Sequence, residues 1–251
     1  MNWPCEVHTL FRDTNLGCGR GVSEGISWFF EHEPEGIILE DDILPTPGFF
    51  SYCDELLARY REDLNVFSIS GCNLVGDRYS PGDSYFFSRH SHIWGWATWQ
   101  RAWKYYDLSI SNFPGWDAAG NLEKWLKGDK CATNYWRNIF RKMTRLEIDT
   151  WDYQWLATSW MNGGLCALPS KNLTTNLGFG DPDATHTKDR APDILMRNIA
   201  SALPTPLVHP QKVIRDIEAD RYIQQYVYGL TPARCLRLAA KAMISDLIER
   251  A

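Results

Sequence analysis

Apolar positions along the first third of the chain switch between two periods. Glu6 to Phe11, EVHTLF, alternates as a strand does and runs into a glycine-punctuated loop, RDTNLGCGRG. Val22, Ile26, Phe29 and Phe30 then recur at helical spacing, which predicts an amphipathic helix from Gly21 to about Glu31. Ile37 to Leu39 reads as a short buried strand, Phe49, Phe50, Cys53, Leu56, Leu57 and Tyr60 mark a second helix, and VFSIS at 66–70 is a further strand. Strand, helix, strand, helix, strand is the pattern of an α/β domain, a mostly parallel sheet with flanking crossover helices.

Beyond Gly71 the alternation loosens. YFFS at 85–88 reads as a strand, and SHIWGWATWQRAWKYYD begins as a loop and becomes a helix carrying Trp99, Ala102, Trp103 and Tyr106. Further helices are predicted over about 122–127, 134–144 and 151–161. After GGLCALPS (163–170), the polar stretch NLTTNLGFGDPDATHTKDR has little periodicity and reads as a loop that orders over a ligand. Thr231 and Pro232 supply the N-cap and first position of a last helix.

The first strand ends in EGIILEDDILPTPGFF, with Glu40, Asp41 and Asp42 side by side before a proline turn. Ligands of parallel sheets gather at the carboxyl ends of the strands. Adjacent carboxylates at the margin of a core are unfavourable unless a positive charge offsets them or one of them binds a proton. A hard divalent cation, Mn²⁺ or Mg²⁺, meets that need with one or two protein oxygens and leaves the rest of its shell to phosphate and water. Strand period turns Glu40 and Asp42 one way and Asp41 the other. The competing reading has these acids cap the helix starting near Pro47 or pair with surface bases.

Composition narrows the classes. A formal net charge of -5 argues against a broad electrostatic grip on nucleic acid. Twelve tryptophans among 251 residues lean towards carbohydrate, whose C–H faces pack on indole rings, with a Trp-rich core as the alternative. The seven cysteines are scattered without a C-x-x-C pair and read as reduced, mostly buried thiols. No apolar run approaches the roughly 20 residues of a membrane-spanning helix, and MNWPCEVHTLFRD lacks the plan of a secretion signal, so a cytoplasmic protein is expected.

The stretch GVSEGISWFFEHEPEGIILEDDILPTPGFFSY resembles the central segment of GT-A glycosyltransferases, especially the group around N-acetylglucosaminyltransferase I and bacterial nucleotide-diphospho-sugar transferases. The similarity continues in order through VFSISGCN, HIWGWATWQRAWKYYD, DTWDYQW and LPSKNLTTNLGFG. It implies a GT-A-like, Rossmann-like domain over 1–190, with the acceptor half from about residue 72, and a C-terminal helical extension over 191–251. It further implies inverting transfer from a nucleotide-sugar donor to a glycan or lipid-linked glycan acceptor. Asp42 matches the acid that holds the metal bridging the donor diphosphate; Glu40 and Asp41 match positions facing the ribose or donor sugar. Asp152 of WDYQW matches the catalytic base, and Arg20 lies where relatives place a residue near the nucleotide. Removing a proton from the acceptor hydroxyl and neutralising the leaving group are what such a transfer demands.

Several alternatives stay open at this level. Asp152 is either the base or an acid in a first helical turn, with Asp149 as the alternative base and Asp149 and Thr150 as candidate caps of the same helix. His186 either reaches the metal or lies on the surface; His90 and His92 have strand spacing but no completing ligand nearby. Trp94 and Trp96 are expected to wall the acceptor site, with core packing as the rival, and NLGCGRG is either a phosphate cradle or a tight turn. Members of the resembled group begin with further strand-helix units, and MNWPCEV stands about where those end. The resemblance therefore implies an N-terminally truncated nucleotide pocket, an open sheet edge and self-association into a homo-oligomer. Leu236, Ala240, Met243 and Leu247 beside Arg234, Arg237 and Lys241 offer a stripe for peripheral membrane contact or for packing on the domain itself. The rival functions are a catalytically incomplete carbohydrate-binding or scaffold protein with a relic donor site, and a metal-dependent phosphohydrolase.

Overall fold

The computed structural model describes residues 4–79, 81–179, 200–238 and 240. It is a mixed α/β fold. Five strands form the main sheet in the order β1-β5-β3-β6-β4: β1 (Glu35–Ile38), β5 (Trp96–Trp99), β3 (Val66–Ser70), β6 (Leu165–Pro169) and β4 (Tyr85–Ser88). Of the four pairings only β3 with β6 is parallel. The expected mostly parallel sheet is thus corrected. β5 inserts antiparallel between β1 and β3, so β1, β3 and β6 run one way and β5 and β4 the other. A separate ribbon pairs β2 (Ile43–Pro45) with β7 (Thr174–Asn176).

Period two sorts the sheet into two cores. Ala97 and Trp99 of β5 face helix α2 (Pro47–Tyr60), whose Phe49, Tyr52, Cys53, Leu56, Leu57 and Tyr60 recur at helical spacing and are all buried. Pro47 at the first position suits a helix start, where no N–H is needed. Trp96, pointing the other way, packs with Phe67 against Ile26 and Phe30 of α1 (Gly17–Phe30) and Trp151 and Trp155. Helix α7 (Asp152–Met161) is buried from Gln154 to Trp160, because the sheet lies beneath it and α6 (Lys130–Thr144) covers it. The short helices α3 (Gln100–Trp103), α4 (Phe113–Ala118) and α5 (Asn121–Trp125) connect β5 to α6. Asp129 caps α6, its Oδ1 accepting from Ala132 N at 3.0 Å.

The described part of the C-terminal stretch shares these cores. Asp216 N donates to Phe87 O at 2.7 Å, and Ala219 and Ile223 bury with Phe86 and Leu168. Helix α8 (Ile217–Tyr222) runs into a π-turn over Ile223–Val227, and a last helix, α9 (232–238), follows Thr231. Cys235 of α9 is disulfide-bonded to Cys131 of α6. That corrects the expectation of wholly reduced cysteines; among the described residues Cys18, Cys53, Cys72 and Cys166 are thiols outside any disulfide. Disulfides persist in oxidising compartments, so the cysteines lend no support to a cytoplasmic location. No described helix is long and apolar enough to cross a membrane.

The expected strand at Glu6–Phe11 does not form. Residues 4–15 are exposed, Phe11 at 87%, and run beside α1, where Arg12 pairs with Glu24 at 3.0 Å and His8 stacks on His32. Alternation alone makes no strand; a partner strand is needed, and among the described residues β1 pairs with β5 alone. Six of the twelve tryptophans, including Trp96, Trp99 and Trp136, are among the largest fully buried side chains, so for them the core reading holds.

Candidate active site

The acid triplet turns the chain out of β1 and into β2. Ile43 N donates to Glu40 O at 3.1 Å and Leu177 N to Asp42 O at 2.7 Å, so the β2–β7 ribbon fixes the turn from both sides. Thr174 Oγ1 donates to Trp94 O at 2.7 Å, which ties the loop before β5 to the same ribbon. Gly95 is required there: at φ +74° a Cβ would stand 2.8 Å from Thr174 Cγ2 and 3.3 Å from Leu39 Cδ2. Glu40 and Asp42 are half-buried and Asp41 exposed, as alternation at a strand end demands.

A second acidic element comes from the far side of the sequence. Asp149 does not cap α7, whose N-cap position Trp151 makes no side-chain cap bond. Its carboxylate instead accepts from Cys18 N at 2.9 Å and Gly19 N at 2.7 Å, closing the start of α1 across 131 and 130 residues. Gly17 and Gly19 make room for it: a Cβ would fall 2.4 Å from Asp149 Oδ2 at the first and 2.9 Å from Oδ1 at the second. The glycine-punctuated loop therefore cradles the protein's own carboxylate, and α1 begins four residues before the expected Gly21. Both Asp149 oxygens are committed, which argues against it as the alternative base. Asp152, half-buried in the first turn of α7, accepts from Thr150 Oγ1 at 2.5 Å, its one hydrogen bond among the described residues.

These acids share one electrostatic neighbourhood. Burial first, then Asp42, Asp152 and Asp41, pushes the Glu40 carboxyl up to about 7. Burial and Asp41 raise Asp42 against opposing hydrogen bonds from its own backbone and the Asn176 side chain. The half-buried Cys18 thiol is pushed up to about 11 by burial, then by Glu40, Asp149 and Asp152. Among the described residues no basic side chain bears on Glu40 or Asp42. Arg20 is 63% exposed and paired with Glu24 at 2.9 Å.

The remaining predicted residues separate. Trp96 is 1% exposed, stacked on Trp151 at 5.5 Å, so it is a core side chain and no acceptor wall. Trp94 is half-buried, its ring edge-on to Phe179 at 5.4 Å beside the ribbon. His90 and His92 are buried, and burial lowers both imidazoles, His92 to about 4. His186 lies outside the described residues, as do Lys241, Met243 and Leu247 of the amphipathic stripe. Among the described residues no group of three or more His, Cys, Asp or Glu could hold a metal ion. A cation here would rest on Asp42 with Glu40 in support. Hard oxygen donors carrying uncompensated charge fit Mn²⁺ or Mg²⁺, which take one or two carboxylates from protein. Sequence reasoning missed Cys18, Tyr153 and Tyr228, which bear on or feel the same acids, because nothing local marks them. A scan against models of protein families and a search of curated proteins each found no match to this chain.

Proposed function

We propose that the chain is a metal-dependent glycosyltransferase of GT-A type, which moves a sugar from a nucleotide-diphosphate donor to a glycan hydroxyl with inversion. The observation that carries this reading is the half-buried placement of Glu40 and Asp42 at the end of β1 and of Asp152 in the first turn of α7, where Asp42 and Asp152 both bear on Glu40 and no basic side chain among the described residues offsets them. Charge of that kind is stabilised when a cation and its diphosphate arrive. A bound divalent ion supplies charge neutralisation on the departing diphosphate. Asp42 anchors that end, and Asp152, with one hydroxyl partner among the described residues, takes the proton of the attacking hydroxyl. Glu40 and Asp41 face the donor, Trp94 walls the acceptor, and Arg20 lies at the start of α1. An acceptor on a lipid carrier would bring the protein to a membrane surface without spanning it.

The test separates the two acids. Titrating the wild type with Mn²⁺ and a panel of nucleoside diphosphates should show metal-dependent binding, lost in Asp42→Asn. Asp152→Asn should bind the nucleotide as the wild type does and fail to transfer sugar to a saccharide panel. Equal loss of binding in both variants would end the division of roles. A wild type with no metal-dependent nucleotide affinity is a carbohydrate-binding or scaffold protein instead.

A further inference from the structure

Three tyrosines from three separate elements meet beside Asp152. Tyr135 comes from α6, Tyr153 follows Asp152 on α7, and Tyr228 stands just after the π-turn. Trp136 is their common floor: its ring meets Tyr228 edge-on at 4.6 Å and Tyr153 at 6.3 Å, and Tyr135 and Tyr228 lie 6.3 Å apart. All three are half-buried. None of the three hydroxyls has a hydrogen-bond partner among the described residues, and none is sealed from solvent. Buried tyrosine hydroxyls ordinarily find a partner. Burial raises all three phenols; Tyr153 and Tyr228 each also feel Asp152 and Tyr135, and Tyr228 feels Tyr153, which places the hydroxyls in one neighbourhood.

The arrangement is held in place. Arg234 Nη1 donates to Tyr228 O at 3.1 Å while its guanidinium lies over the Tyr135 ring at 5.8 Å, and the adjacent Cys235 is bonded to Cys131. Gly229, at φ +65°, turns the chain directly after Tyr228. Fixed rings with free hydroxyls are a preorganised set, one that loses little side-chain entropy on binding.

We infer that Tyr135, Tyr153 and Tyr228 form the subsite for the acceptor's sugar ring. A phenol hydroxyl both donates and accepts, as a sugar hydroxyl does, and tyrosine rings offer apolar faces to its C–H groups. An anionic ligand would be repelled by Asp152, and a purely apolar one would leave three hydroxyls unpaired. The inference rests on the sugar-transfer reading for the word acceptor, and on the tyrosines alone for the word sugar.

Saturation-transfer NMR with a panel of methyl hexosides and methyl N-acetylhexosaminides, without metal or nucleotide, tests it. At least one glycoside should bind the wild type, and Tyr228→Phe, which keeps the ring and its packing, should weaken it roughly five- to tenfold. Tyr153→Phe should weaken it in the same direction, with melting temperatures unchanged in both. Glycoside binding that is absent from the wild type, or equal in wild type and both variants, overturns the proposal. Nucleotide binding by Asp42→Asn is read separately. Retained metal-dependent binding there would defeat the donor-site reading and leave the tyrosine result to stand or fall by itself.

Discussion

Two charged clusters in this fold are built on opposite plans. At the end of β4, Asp220 is 1% exposed and accepts from Ser88 Oγ at 2.6 Å, Arg89 N at 3.2 Å and the Arg215 guanidinium. Arg89 completes the knot, bonded to Gln224, which in turn donates to Asp129 Oδ2 at 2.8 Å. Burial pulls Arg89 down to about 10 against the pull of Asp220. At the end of β1, by contrast, burial and then Asp42, Asp152 and Asp41 raise the Glu40 carboxyl, burial and Asp41 raise Asp42, and no basic side chain among the described residues offsets either. The first cluster is complete within the chain and fastens the C-terminal helices to the sheet. The second is relieved by a bound proton or an added cation, and this difference, more than the number of acids, is what the proposed donor site rests on.

The largest expected effect breaks the completed cluster. Asp220→Ala leaves Arg89 and Arg215 without their carboxylate, and breaking a buried pair costs about 3–5 kcal/mol. Thermal unfolding should move down by roughly 10 °C in a chain of this size. A melting temperature within 2 °C of wild type would mean that the knot is not what secures α8. Next in size is the staple on the same side. Cys131→Ser should cost about 2–4 kcal/mol, because the disulfide closes a span of 104 residues in the unfolded chain. Denaturant titration with and without a thiol reductant checks it: the reductant should weaken the wild type and leave the variant unmoved. An equal response in both would remove the bond from the ledger of this region.

How much of this was legible in the sequence follows from the range of each interaction. Helix α2 could be read because Phe49, Cys53, Leu56, Leu57 and Tyr60 repeat within one segment, although Phe50 proves exposed and Tyr52 takes its place in the core, and the acid triplet because three neighbouring charges need no partner to be noticed. β5 was hidden, since Trp96–Trp99 is buried on both faces, shows no alternation and runs directly into α3. With it went the antiparallel insertion. The strand expected at Glu6–Phe11 has the right period and no sheet neighbour. Asp149 was read as a local cap or a base because helix caps are usually local; its true partners lie 130 residues away. The disulfide and the tyrosine cluster are likewise assembled from elements that only the fold brings together.

The smallest effect sharpens the comparison most, because its sign is unusual. Glu40 ordinarily titrates near 4.5 and stands at about 7 in the folded chain, so the folded state binds more protons than the unfolded state between those values. Stability from this group therefore falls as pH rises through that window, opposite to a salt-bridged acid. Buried His90 and His92 act the other way in the same window, since their lowered imidazoles cost stability as pH falls, so wild-type melting alone mixes the two. Glu40→Gln isolates the carboxyl. The variant should be more stable than wild type at pH 8 by roughly 1 kcal/mol, after screening at a half-buried site, and equal to it at pH 5. Adding Mn²⁺ at pH 8 should cancel the variant's advantage, because a cation favours the ionised carboxyl that glutamine lacks. A stability gap that ignores both pH and Mn²⁺ would show the acid turn to be as self-contained as the knot around Asp220, and the contrast between the two ends of the sheet would disappear.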